Sequence, residues 1–209
     1  MNIIRFSLGP LGTNCYIVHN GKKGLIIDPG AEPETIINYL NEEKIEPLAI
    51  LLTHAHFDHI GAVDALRKKF NIKVYGHELE ANWLEDPSFN RSARFIGEEI
   101  ITDKPEVLLQ EGPLQIEDFT FEVIHTPGHS PGSVSFIFHE HKFIISGDVL
   151  FLQGIGRTDL PGGSLTVLTD SLQEKLYQLP EDYVVLPGHG EQTTIGFEKQ
   201  NNSYVRAKN

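Results

Sequence analysis

The stretch THAHFDHIG, Thr53 to Gly61, places three histidines and an aspartate within six positions, directly after the apolar run LAILL of Leu48 to Leu52. A buried strand has no use for such side chains, and a solvated loop does not need them at this spacing. Imidazole and carboxylate groups close together are what a transition-metal ion binds. In an extended segment residues i and i+2 point the same way, so His54 and His56 can bind one ion together. Asp58 and His59 come just before the helical pattern GAVDALRKKF. The chain turns there and redirects their side chains toward a second ion.

Partners for this cluster are spread along the chain. Four apolar strand candidates end in the same way: AILLT runs into His54, FEVIHTPG into His129, KFIISG into Asp148 and YVVLPG into His189. Loops beyond strand ends carry function on a rigid scaffold. If these ends meet at one edge, His129 completes the first site and His189 the second, and Asp148, with two carboxylate oxygens, bridges them. The donor set suits two divalent ions, Zn²⁺ foremost, with Fe or Mn also compatible. The lone cysteine, Cys15, lies far from the cluster, which excludes a thiolate-only structural zinc.

The rest of the chain reads as one domain, 1–209. NCYIVHN and KGLIIDPG are strands joined at Asn20-Gly21, a hairpin signal. PETIINYLNEEK is a helix opened by Pro33, LAILLT a strand buried on both faces, IKVYGH a strand and ELEANWLED a short helix. FTFEVIH, GSVSFIF, KFIISG and DYVVL supply the later strands, with a hairpin around HEHK. SLTVLTDSLQEKLYQL is the clearest helix, with Ser164 as its N-cap and Leu165, Leu168, Leu172, Leu176 and Leu179 as its stripe. DPSFNRSARFIG has no period and reads as a loop over the site or as plain surface. His19, His77, His139 and His141 read as surface residues, His125 as structural, and Cys15 as a small buried apolar group.

Composition narrows the function classes. Hydrophobic residues make up 40% and charged residues 22%, as in a soluble globular protein. No apolar run approaches the ~20 residues of a membrane span. No signal-peptide pattern opens the chain, and one cysteine rules out an internal disulfide framework, so a cytoplasmic location is expected. The net charge of −12 argues against a nucleic-acid partner.

THAHFDH, TPGHSPGS, SGDVLF and LPGHG, in this order, resemble the metallo-β-lactamase superfamily, and TNCYIV…GLIIDPG resembles its first hairpin and aspartate motif. The likeness covers essentially the whole chain. It implies an α/β fold, the four-layer αββα sandwich, with a metal site at one edge. It implies His54, His56 and His129 on the first ion, Asp58, His59 and His189 on the second, and Asp148 between them. It also implies that Asp28 orients the histidine loop from behind.

GDVLFLQGIGRTDLPGG is similar to hydroxyacylglutathione hydrolases (glyoxalase II) and to persulfide dioxygenases. Arg157 stands where glyoxalase II has a lysine, and GRTD, Gly156 to Asp159, resembles the dioxygenase form. Longer glyoxalase II enzymes carry a C-terminal helical domain, whereas here only Glu191 to Asn209 follow the last motif. The chain is therefore similar to a short, glyoxalase II-like subgroup. The expected reaction is hydrolysis of a small-molecule hydroxyacyl-thiol thioester by a hydroxide held between two ions. Asp58 and Asp148 are the working carboxylates, and Arg157 contacts an anionic group of the thiol carrier. The alternative is a mononuclear iron persulfide dioxygenase using His54, His129 and Asp148. No membrane or nucleic-acid partner is expected. An exported β-lactamase is disfavoured by the lack of an export signal.

Overall fold

A computed structural model describes residues 1–208 and divides the chain into two compact units, Met1–Leu109 and Gln110 onward. Each is built on one six-stranded sheet with helices, the mixed α/β class expected.

In the first unit, β1 (Asn2–Leu8), β2 (Thr13–His19), β3 (Lys23–Ile27), β4 (Glu46–Leu51), β5 (Lys73–His77) and β6 (Val107–Leu109) lie in that order across the sheet. The Asn20-Gly21 hairpin forms as expected. Gly21 takes φ 92°, and the Asn20 carboxamide accepts from the N–H groups of Lys22 and Lys23 at 3.0 and 2.9 Å. From β3 to β6 all pairs are parallel. The intervening chain holds the helices α1 (Pro33–Glu42), α2 (Phe57–Ile60), α3 (Val63–Phe70) and α4 (Ser92–Phe95). Ile36, Leu40, Val63 and Leu66 of α1 and α3 share a core with Ile17, Ile26, Ile50 and Val74 of the sheet. The alternate residues Val18, Leu25, Ile27 and Leu51 are also fully buried. These inner strands therefore read as continuous apolar runs rather than as alternating ones. Burial also pushes the Cys15 thiol pKa up, consistent with an inert core residue.

In the second unit the strands are β7 (Gly112–Ile116), β8 (Phe119–His125), β9 (Val134–Phe138), β10 (Phe143–Gly147), β13 (Val184–Pro187) and β14 (Thr193–Thr194), in the order β14-β13-β10-β9-β8-β7. A two-stranded ribbon, β11 (Leu150–Phe151) with β12 (Gly154–Ile155), follows β10. Helices α5 (Leu165–Glu174) and α6 (Ile195–Asn201) complete it. Leu168, Leu172 and Leu176 pack with Ile137, Ile144, Val185 and Ile195, and the Ser164 hydroxyl caps α5 by accepting from the Val167 N–H.

Four expectations are corrected. ELEANWLED forms two 3₁₀ turns, Glu78–Glu80 and Trp83–Glu85, rather than one helix. DPSFNRSARFIG contains α4. Leu165 is 56% exposed, because it opens the first turn of α5 and faces away from the leucine stripe. His19 is buried, because the β2–β3 turn folds back on it and the Gly21 N–H donates to its Nδ1.

Candidate metal centre

Strand direction explains how each unit gathers its donors. In the first unit β3, β4 and β5 are parallel and β2 opposes them. The ends of β3 and β4, the segment after β5 and the start of β2 therefore lie along one sheet edge. Asp28, Thr53 to His59, Glu80 and Thr13 follow or open those strands. In the second unit β8 and β10 both oppose β9, and β13 is parallel to β10. The C-terminal ends of β8, β10 and β13 thus share an edge, and His129, Asp148 and His189 follow them.

The first-unit set is held from behind by Asp28. Its carboxylate accepts from the Thr53 N–H at 2.8 Å, from the Thr53 hydroxyl at 2.6 Å and from His59 Nδ1 at 3.0 Å. The Thr53 hydroxyl, having given its proton to Asp28, accepts from His54 Nδ1 at 3.1 Å. One buried carboxylate thus sets the protons of two imidazoles on Nδ1 and leaves the lone pair on Nε2, the atom a metal would take. The ligand atoms of His54 and His56, of His54 and His59, and of Asp58 and His59 lie within 4.8 Å of each other. Asp58 Oδ2 accepts from the Thr13 hydroxyl at 2.7 Å. The Ala55 N–H, between the first two histidines, donates to Glu80 Oε2 at 2.7 Å. A Cβ on Gly30 would stand 1.6 Å from the Asp58 carbonyl oxygen, so only glycine lets the β3 loop pass under this turn.

In the second unit His129 Nδ1 donates to the carbonyl of Arg157 at 2.8 Å, which again places the lone pair on Nε2. Asp148 Oδ2 stands 3.6 Å from His129 Nε2 and 3.5 Å from His189 Nε2. One carboxylate oxygen therefore stands within 3.6 Å of two imidazole nitrogens. A Cβ on Gly156 would meet the Asp148 carbonyl oxygen at 1.8 Å and His129 Nδ1 at 3.1 Å. The Arg157 guanidinium pairs with Asp159 through two bonds of 2.7 Å.

The first unit offers three imidazoles and Asp58 and the second two imidazoles and Asp148, most of them buried, with the protons of His54, His59 and His129 placed on Nδ1, and donors of these kinds fit divalent Zn, Fe or Mn. Sequence reasoning missed Glu80, Thr13 and the Arg157 carbonyl. Glu80 carries no motif of its own, Thr13 stood out only as the start of the first hairpin, and a carbonyl has no sequence signature at all.

Residues 8–189, spanning parts of both units, match the profile of the metallo-beta-lactamase superfamily. The chain is 47% identical over 202 residues to a "Probable metallo-hydrolase YqgX" of Bacillus subtilis, covering 96% of each chain. It is 38% identical over 211 residues to the "Hydroxyacylglutathione hydrolase GloC" of Haemophilus influenzae, covering 100% of both. Among solved structures, "BLEG-1 B3 metallo-beta-lactamase" superposes with a TM-score of 0.95 at 51% identity, covering 98% of this chain and 99% of that one.

Proposed function

We propose that this chain, which belongs to the metallo-beta-lactamase superfamily and is a metal-dependent hydrolase, cleaves the thioester of a hydroxy acid with a small thiol. The observation that carries the substrate class is the end-to-end likeness to a hydroxyacylglutathione hydrolase. In this reading His54, His56 and His129 hold one ion, Asp58, His59 and His189 hold the other, and Asp148 serves both. When bound, such ions lower the pKa of water to about 7 and polarise a carbonyl oxygen.

The chain's own residues then have distinct tasks. Asp28 and Thr53 keep the His54 and His59 protons on Nδ1, and the Arg157 carbonyl does so for His129. Asp58, anchored at Oδ2 by Thr13, orients the attacking water and accepts its proton. The water oxygen bonds to the thioester carbon, the C–S bond breaks, and the proton passes to the departing sulfur. The products are a hydroxy acid and a thiol, and no side-chain nucleophile takes part.

The likeness to a B3 metallo-beta-lactamase favours a second reading, hydrolysis of a β-lactam amide. Protein purified without added metal should contain close to two ions and hydrolyse S-lactoylglutathione faster than a chromogenic cephalosporin. Robust metal loading with cephalosporin turnover and no thioester turnover would transfer the assignment to the second reading. Oxygen uptake with glutathione persulfide by the iron-loaded protein, again without thioester turnover, would transfer it to a dioxygenase.

A further inference from the structure

Beside Asp58 the first unit contains a recess of about 300 Å³, the lower end of the range for small-molecule sites. The β1–β2 connection forms one wall. That connection is a tight turn, with Gly9 and Gly12 at positive φ, the Gly12 N–H donating to the Gly9 carbonyl, and the Gly9 N–H donating to the Glu32 carboxylate. The segment after α4 forms the other wall, and Gly30 and Asp58 lie between.

The apolar lining comes from Leu8, Pro10, Leu11, Phe57, Ile96 and Ile100. Leu11 is 50% exposed, and Ile96 and Ile100 are only partly covered. Exposed apolar side chains that converge on one concavity mark a binding site more often than chance surface exposure does. The charged groups at its edge are the carboxylates of Asp58 and Glu98, and among the described residues no cationic side chain lines it. An anionic ligand group is repelled there, and an uncharged apolar one is accepted.

We infer that this recess binds the apolar acyl portion of the thioester, next to the carboxylate assigned above to the second ion. The inference rests on the thioesterase reading. It adds that selectivity lies in the acyl chain, with a preference for chains longer than the three-carbon lactoyl group.

The test uses the metal-loaded protein and N-acetylcysteamine thioesters of acetic, butanoic and hexanoic acid, so that only the uncharged acyl chain varies. Each buried methylene should raise kcat/KM about four-fold. Leu11→Asp and Ile96→Asp should flatten the series at unchanged metal content. Both side chains lie at least partly in solvent, so folding should survive, which the thermal midpoint verifies. In parallel, methyl NMR with hexanamide should show saturable shifts at Leu8, Leu11, Ile96 and Ile100 and none at Leu168 or Leu172. Thioester turnover with a flat series and no such shifts overturns the inference and leaves the thioesterase reading standing. Saturable shifts with a flat series overturn the acyl assignment. Hexanamide binding in the recess with no turnover of any thioester overturns the thioesterase reading and keeps the recess as an apolar ligand site.

Discussion

Asp28 never needs to touch a substrate, yet three hydrogen bonds converge on its carboxylate, and two histidines take their proton positions from it. It occupies φ 51°, a left-handed conformation that aspartate tolerates better than most residues. Asp28→Asn keeps the shape but sets an amide N–H₂ against N–H and O–H donors. Metal affinity, measured by chelator competition, should fall about 10- to 100-fold. Wild-type affinity in this variant would mean that His59 is oriented by something else. Glu80 holds the backbone between His54 and His56. It is 2% exposed and accepts the Ala55 N–H between them. Glu80→Ala leaves that donor buried without its acceptor, at a cost of about 1–3 kcal/mol in urea unfolding, and should weaken metal binding. Glu80→Gln keeps an acceptor oxygen and should restore most of both, and failure of that rescue would place the role of Glu80 in its charge. Asp28 was legible because IIDPG is a motif at a strand end. Glu80 was not, because a glutamate in ELEANWLED looks like any solvated helix charge.

At the scale of elements, α5 positions as well as covers. Its first turn lies against the loop that carries His129. The Ser164 N–H donates to the Gly128 carbonyl at 2.8 Å, and a Cβ on Gly128 would stand 2.2 Å from the Leu168 nitrogen. The stripe Leu168, Leu172 and Leu176 is fully buried. Leu172→Ala should therefore cost about 2–5 kcal/mol in urea unfolding. Leu165→Ala, on the exposed side, should stay within about 0.5 kcal/mol. Equal costs would show that the helix is rotated from the position described. The stripe was readable because leucines repeating with a 3.6-residue period over several turns can share one face only in a helix. Other elements had no such signal. β1 is an edge strand whose residues are mostly exposed or half-buried, β6 is three residues long, and β14 and the short α6 follow the last motif without an apolar run. Their places are set by pairing with neighbours far along the chain, which no local window contains.

Across the whole chain, the gathering of metal donors was expected from repeated strand-end motifs, whereas the division into two units left no mark in composition. A global property that the folded state does make readable is the sign of its response to acid. Burial pushes the His19 imidazole pKa below its ordinary value. The Lys175 hydrogen bond holds the Glu111 carboxyl low, against the opposing effect of burial. Burial alone would raise Asp64, but hydrogen bonds from Thr102 and Lys68 and the Arg67 charge outweigh it and leave the group low. In all three the folded state binds fewer protons than the unfolded one, so stability is full above the ordinary pKa and is lost as pH falls through the folded one. The histidine acts first, below about pH 6.5, and the carboxylates only below about pH 4. His19 has a structural reason for this order. Its Nδ1 accepts the Gly21 N–H at 3.2 Å, and its Nε2 lies 3.4 Å from the Tyr39 hydroxyl. Protonation at Nδ1 destroys the first bond and places a charge in a buried hairpin. His19→Gln removes the titrating group, and a wild-type-minus-variant comparison by urea unfolding cancels the protonation of the metal-binding histidines common to both. That stability difference should shrink in favour of the variant as pH is lowered from 7.5 to 5.5. A difference that stays constant over this interval would mean that His19 binds its proton equally in the folded and unfolded chain.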